Sequence, residues 1–152
     1  MSAQIEFRLN KATAAEIAGH LSLCDADFVP PLSGRIEIGS YANKIAGKAT
    51  RFEAWANGAL VGLVAAYCND SERRTAYITS VSVLRGWQDR GIASRLLEQC
   101  IEFATGENFA RIELATDSGN TGAIGLYAKR GFTTDRANDS TAIMRLDIAK
   151  HA

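Results

Sequence analysis

The sequence predicts an α/β (α+β) fold: a single mixed, mostly antiparallel twisted sheet of about six or seven strands, flanked by about four helices. Three observations predict it. Short runs that alternate apolar and polar residues interleave with longer stretches whose apolar residues recur at helical spacing. The strands of the first half follow one another through tight turns, which join antiparallel neighbours. At 152 residues the chain reads as one domain, 1–152, able to bury about two-thirds of its unfolded surface without disulfide or metal staples.

Taken in order, Ile5 to Leu9 alternates and reads as a strand. Thr13 is placed to cap a helix through Leu23, with Glu16 at the capping-box position. Cys24 to Ser33 holds the adjacent Pro30-Pro31 and reads as a loop. A second helix is expected from Gly34 to Ala46, with Ile38, Tyr41, Ala42 and Ile45 at helical spacing. Thr50 to Ala56 is a strand, Asn57-Gly58 a type I′ hairpin turn, and Leu60 to Tyr67 a strand apolar on both parities, hence covered on both faces. A polar turn from Asn69 to Arg74 leads to a strand from Ala76 to Val83. In that strand Ile78 falls opposite Val81 and Val83. Either a β-bulge near Thr79-Ser80 restores one face, or the strand is buried on both.

A helix follows from Ile92 to Ala104, with Ile92, Leu96, Leu97, Cys100, Ile101 and Ala104 on one stripe. Arg111 to Thr116 is a strand, Asn120 to Arg130 a short helix ended by Gly131, and Phe132 to Ala137 with Thr141 to Ile148 a terminal strand pair. Ala142, Met144, Leu146 and Ile148 share one face of the last strand.

Composition narrows the class. Apolar residues make up 47% and charged residues 22%, as in ordinary globular proteins. Acidic and basic residues balance at 17 each, which points away from a nucleic-acid partner. Cys24, Cys68 and Cys100 are far apart with no C-x-x-C pair, so neither a zinc site nor a disulfide framework is expected, and no metal is assigned. The start MSAQIEFRLNK lacks the apolar core of a signal peptide, and no apolar run reaches membrane length. A reducing cytoplasm, no membrane partner, and a monomer or homodimer are the expectations.

The stretch Val81 to Ala93, VSVLRGWQDRGIA, carries the functional signal. A β-rich end passes through a short turn into an amphipathic helix whose first N–H groups have no intrahelical partner. Small residues let an anion approach those groups. The Lys-Ser/Thr ending of a P-loop and the three-glycine spacing of a dinucleotide turn are both absent. The spacing Val83, Gln88, Gly91, Ala93 resembles the Gln/Arg-x-x-Gly-x-Gly/Ala pyrophosphate loop of the GNAT superfamily of acetyl-CoA-dependent N-acetyltransferases. Downstream, Asn120, Ala123, Leu126-Tyr127, Lys129 and Gly131-Phe132 are similar to that family's Asn-x-x-Ala-x-x-x-Tyr-x-x-x-Gly-Phe block. The resemblance spans roughly Leu60 to Met144 and implies a bulged strand, a splay between two parallel central strands, and acetyl-CoA as co-substrate.

By that resemblance, the backbone of Val81, Ser82 and Val83 holds the pantetheine and thioester, and the phosphates lie over Gln88, Asp89, Arg90, Gly91, Ile92, Ala93 and Ser94. The side chain of Arg90 either adds charge to the phosphates or is solvated. Asn120 bonds the pantetheine arm, caps its helix, or does both. Tyr127 is implied to be the acid that protonates the departing thiolate; a phenol keeps its proton at neutral pH. The competing reading of Tyr127 is a packing stripe with Ala123, Ile124 and Ala128. Many relatives carry a carboxylate near the place of Thr79, whereas AYITSVSV has none. The general base is therefore open among Glu53, Asp70, Glu72 or a water chain through Tyr77 and Thr79.

The acceptor side is expected at Asp25, Asp27, Phe28, Tyr41 and Tyr77, where carboxylates, aromatics and a stiff Pro-Pro unit suit an amine; a solvated loop is the alternative. His20 and His151 read as structural or surface residues. The expected activity is acetyl transfer to the primary amine of a small molecule by direct attack in a ternary complex. A protein or peptide amine, a non-catalytic acyl-CoA sensor, and an acetyl relay through Cys24 are the alternatives.

Overall fold

Residues 4–148 are described by the computed structural model; His151 lies outside them. Seven strands form one sheet in the order β1-β2-β3-β4-β5-β7-β6. The strands are β1 (Glu6–Leu9), β2 (Thr50–Ala56), β3 (Ala59–Asp70), β4 (Thr75–Val83), β5 (Arg111–Asp117), β6 (Thr133–Ala137) and β7 (Thr141–Asp147). Every neighbouring pair is antiparallel except β4 and β5. The long helices are α1 (Ala14–Cys24), α2 (Ile38–Lys48), α3 (Ile92–Gly106) and α4 (Thr121–Lys129).

Two apolar clusters sandwich the sheet. Ile17 and Leu21 of α1 and Ala42 and Ile45 of α2 pack with Trp55, Leu63 and Ala65 on one face. Leu96, Leu97 and Cys100 of α3 and Tyr127 of α4 pack with Phe52, Val64, Ile112 and Leu114 on the other. The approach of α3 is close. A Cβ on Gly62 would fall 2.7 Å from Ile92 Cγ2 and 3.3 Å from Leu96 Cδ1, so only glycine lets the first turn of α3 rest on β3.

Local chemistry explains the boundaries. Thr13 Oγ1 accepts from Glu16 N while Glu16 Oε1 accepts from Thr13 N, completing the capping box of α1. Helix α2 begins at Ile38 rather than Gly34. The Glu37 carboxylate caps it by accepting from Gly39 N and Ser40 N, and Leu32–Gly34 forms a separate 3-10 turn. Strand β3 runs on to Asp70, which shortens the polar turn expected from Asn69.

The parity break in β4 is a bulge at Thr79: Ala65 pairs with Ser80 and Ala66 with Ile78, which leaves Thr79 as the extra residue. Ile78, Val81 and Val83 consequently all pack towards α3. On the other face Ser80 and Ser82 are buried but Tyr77 is exposed. The strand is therefore bulged, and its second face is covered only beyond the bulge.

Candidate active site

The bulge coincides with the point where β4 and β5 part. They pair only over Thr75–Ile78 and Arg111–Leu114. Beyond it β4 continues to Val83 bonded to β3 alone, and β5 continues to Asp117 bonded to β7 alone. The β5-facing edge of β4 from Thr79 to Val83 is thus outside the ladder. Side chains satisfy two of its carbonyls, Thr79 O from Tyr41 and Val83 O from Gln88; the other backbone groups of that edge, inside a fold, demand another partner. Here the edge borders a cavity of about 700 Å3 lined by both strand ends, by Asn120, Ala123 and Tyr127 of the α4 segment, and by residues 27–36.

At the end of β4 the chain enters a 3-10 turn, Arg85–Trp87, and then α3. Gln88 Nε2 donates to Val83 O at 3.2 Å, folding the loop back on the strand. Asp89 (φ 63°) and Gly91 (φ 76°) take left-handed conformations, the second as N-cap of α3. No side chain caps that helix, so its first N–H groups are free to meet an anion. A Cβ on Gly91 would meet no atom within 4 Å, which shows the cradle to be open. Ile92 is buried beneath it, whereas Ala93 and Ser94 are half-buried at its rim. The Arg90 guanidinium stacks over the Trp87 ring at 4.7 Å.

Tyr127 is 8% exposed and lines the cavity while packing 6.0 Å from the Phe132 ring. Burial alone pushes its phenol up to about 12, so it holds its proton throughout the physiological range. Its packing contacts and its place on the cavity wall coexist. Asn120 lines the cavity too, and its Oδ1 accepts from Ala123 N at 3.1 Å as N-cap of α4.

On the opposite wall, Tyr41 Oη donates to Thr79 O at 2.7 Å and lies 2.6 Å from Thr79 Oγ1. This contact, made by residues 38 apart in sequence, anchors the bulge to α2. Phe28 and Tyr77 line the cavity. Asp25 does not reach it: its carboxylate accepts from Ser33 N and Ser33 Oγ, at 2.7 and 2.6 Å, and staples the loop. Asp27 lines the cavity but is already ion-paired with Arg85, and Gln88 Nε2 donates to it at 3.4 Å. Arg85, Arg35, Ser80 and Asp117 also border or brace the site. Arg85, Ser80 and Asp117 carry one sequence signal, proximity to the carboxyl ends of the parallel strands, where open sheets bind ligands; Arg35, just before α2, carries none.

Of the carboxylates considered as bases, Glu53 is fully buried and spent. It accepts from Lys11 N, Ala12 N and Trp55 Nε1 and pairs with Arg51 at 3.4 Å. Asp70 and Glu72 lie at the β3–β4 turn, at the opposite end of β4 from Val83, and line no part of the cavity. Cys24 is 2% exposed and burial pushes its thiol up to about 11, a poor nucleophile. His20 is buried, with Nδ1 2.9 Å from Leu60 O and Nε2 2.8 Å from Ser82 Oγ. The Ser82 side chain is therefore turned to α1. Among the described residues no helix is long and apolar enough to cross a membrane.

Residues 16–132 match the model of the Acetyltransferase (GNAT) family. Solved structures share the fold. The ribosomal-protein-S18-alanine N-acetyltransferase from Escherichia coli is 19% identical, with 95% of this chain and 94% of that chain covered and a TM-score of 0.76. YncA from Salmonella typhimurium, solved with its cofactor acetyl-CoA, is 18% identical over 97% and 96%, TM-score 0.76. The PaiA N-acetyltransferase from Thermoplasma acidophilum, solved in complex with coenzyme A, is 15% identical over 95% and 99%, TM-score 0.72. No curated protein matches the chain.

Proposed function

Because the chain belongs to the GNAT acetyltransferase family, and so is an acyltransferase, we propose that it moves the acetyl group of acetyl-CoA to the primary amine of a small molecule by direct attack in a ternary complex. The observation that carries this reading is the splay: the free edge of β4 from Thr79 to Val83, with the open, uncapped start of α3 at its end. In this reading the backbone of Val81 to Val83 holds the pantetheine and thioester. The N–H groups from Gln88 to Ser94 receive the pyrophosphate, and Asn120 steadies the arm with its free amide end.

The thioester carbonyl accepts charge as the amine adds, so preorganised backbone donors at the splay stabilise the transition state. Tyr127, protonated and dry, supplies the proton that the departing sulfur needs. Phe28, Tyr77 and the Tyr41–Thr79 pair wall the acceptor side, and the cavity of about 700 Å3 suits a small amine. The three cysteines are unpaired, in keeping with a cytoplasmic protein acting as one domain, 1–152, in a monomer or homodimer. Thiol release from acetyl-CoA across a panel of small amines, with mass spectrometry of the products, tests the reading. A mass gain of one acetyl group on an amine supports it; thiol release only with protein acceptors would replace it.

A further inference from the structure

An attacking ammonium must lose a proton, and β4 offers no carboxylate to take it. What β4 does offer is a run of hydroxyls on the face covered by α1 and α2. Ser80 pairs across from Ala65 and Ser82 from Leu63, and both partners belong to the cluster under those helices. Ser80 is 5% exposed and lines the cavity, yet its Oγ has no hydrogen-bond partner. A buried hydroxyl left alone costs about 1–3 kcal/mol, so the site calls for a ligand or water there. Two residues on, Ser82 borders a smaller cleft of about 140 Å3 that shares Asp27, Phe28 and Val81 with the main cavity. Residues two apart on a strand are separated by roughly 6.5 Å. Two waters making three bonds of about 2.8 Å in a bent chain span that gap, and the cleft has room for both at roughly 30 Å3 each.

The end of the run is His20. A carbonyl oxygen only accepts, so the 2.9 Å contact of Nδ1 with Leu60 O fixes the ring proton on Nδ1. The Nε2 lone pair then faces Ser82 Oγ at 2.8 Å. We propose that His20 is the terminal proton acceptor of acetyl transfer, reached from the acceptor amine through Ser80, two bridging waters and Ser82. This rests on the acetyl-transfer reading above.

The step balances. The acceptor ammonium loses one N–H proton to Ser80; each hydroxyl and water along the run takes one proton and passes its own onward, and Nε2 gains the last. The neutral amine nitrogen then bonds to the thioester carbonyl carbon. The C–S bond breaks with its electron pair on sulfur, which takes the phenol proton of Tyr127, and the second N–H bond breaks to return a proton to the Tyr127 oxygen. Exchange with solvent then restores His20.

Burial lowers the pKa of His20, so it is neutral and able to accept at pH 7. The groups facing it leave it neutral. Cys24 Sγ, 3.7 Å away on the same helix, is a protonated thiol; Ser82 comes from β4 and the Leu60 carbonyl from β3. Asp27, on the turn after α1, is held by Arg85.

The test compares log(kcat/KM) against pH for the native protein, His20→Asn, which keeps a donor for Leu60 O, and Ser82→Ala. The probe is the faster acceptor of spermidine and tyramine, alkylamines that remain ammonium ions up to about pH 9. With the relay the abundant ammonium form reacts, and the native profile is flat between about pH 7 and 9. Without it only neutral amine reacts, so both variants should rise about tenfold per pH unit and lose about 100-fold at pH 7. Acetyl-CoA affinity should be unchanged. Variants that keep the native slope overturn the relay. Nitrogen-15 NMR of the His20 ring, which needs no acceptor, should show the proton on Nδ1 at neutral pH; a proton on Nε2 overturns it too. Failure of the native protein to bind acetyl-CoA or acetylate any amine would instead sink the transfer reading.

Discussion

Glu53→Gln separates a structural carboxylate from a chemical one. Glu53 is fully buried, and its two oxygens receive Lys11 N, Ala12 N and Trp55 Nε1 at 3.0–3.2 Å beside the Arg51 guanidinium at 3.4 Å. Arg51 in turn donates to Ala12 O and Ala46 O, both at 3.1 Å. The knot ties β2 to the start of α1 and the end of α2. Glutamine keeps the shape but turns one acceptor into a donor against backbone N–H groups and leaves Arg51 buried without its counter-charge. Breaking such a pair from one side costs about 3–5 kcal/mol. At about 2–4 °C per kcal/mol for a chain of this size, the melting temperature should fall by roughly 6–20 °C. Urea and thermal denaturation measure the loss, and turnover assayed well below the new midpoint measures the chemistry of the folded fraction. That turnover should stay within about twofold of native, because no barrier term involves Glu53. A variant of native stability with abolished turnover would refute the argument and make Glu53 a candidate base again.

Three further substitutions probe the cavity wall and the helix seat. Tyr127→Phe should lower kcat by about 100-fold, or about 2.7 kcal/mol of barrier, while leaving acetyl-CoA affinity and stability nearly unchanged; a change below about threefold would make Tyr127 a packing residue. Gly62→Ala drives a methyl into Ile92 and Leu96 and should cost about 1–3 kcal/mol of stability and weaken acetyl-CoA binding by shifting the start of α3; native affinity in that variant would show the cradle to be independent of this contact. Arg85→Ala releases Asp27 and the turn that carries it, so the amine KM should rise well beyond any change in the acetyl-CoA KM; steady-state kinetics with both substrates varied would decide.

Much of this architecture is legible in the sequence because its causes are local. The capping box at Thr13 and Glu16, the Asn57-Gly58 turn and the α3 stripe each rest on residues a few positions apart. Even the bulge can be read, since one inserted residue is enough to slip the parity between Ile78 and Val81. The start of α2 lies a few residues beyond its expected place because a glutamate cap at Glu37 looks in sequence like any solvated helix residue. The site is harder to read, for a physical reason: charge pairing is settled across the fold. Nothing near Asp25 announces Ser33, nothing near Asp27 announces Arg85, and nothing near Glu53 announces Lys11 and Ala12. Residues that look like free carboxylates for an amine or a proton thus turn out to have partners. His20 looks like an ordinary helix histidine until β4 supplies Ser82, 62 residues away.

The measurement that bears most directly on the account is calorimetric titration of acetyl-CoA into the native protein and into Gly91→Glu. The native chain should bind one acetyl-CoA per molecule, with coenzyme A competing. The substitution places a carboxylate over the free N–H groups of α3, at a position whose φ of 76° resists a side chain. It should abolish the heat of binding while the far-ultraviolet spectrum stays native. Equal affinity in both proteins, or none in the native one, would contradict the assignment of this cleft to acetyl-CoA.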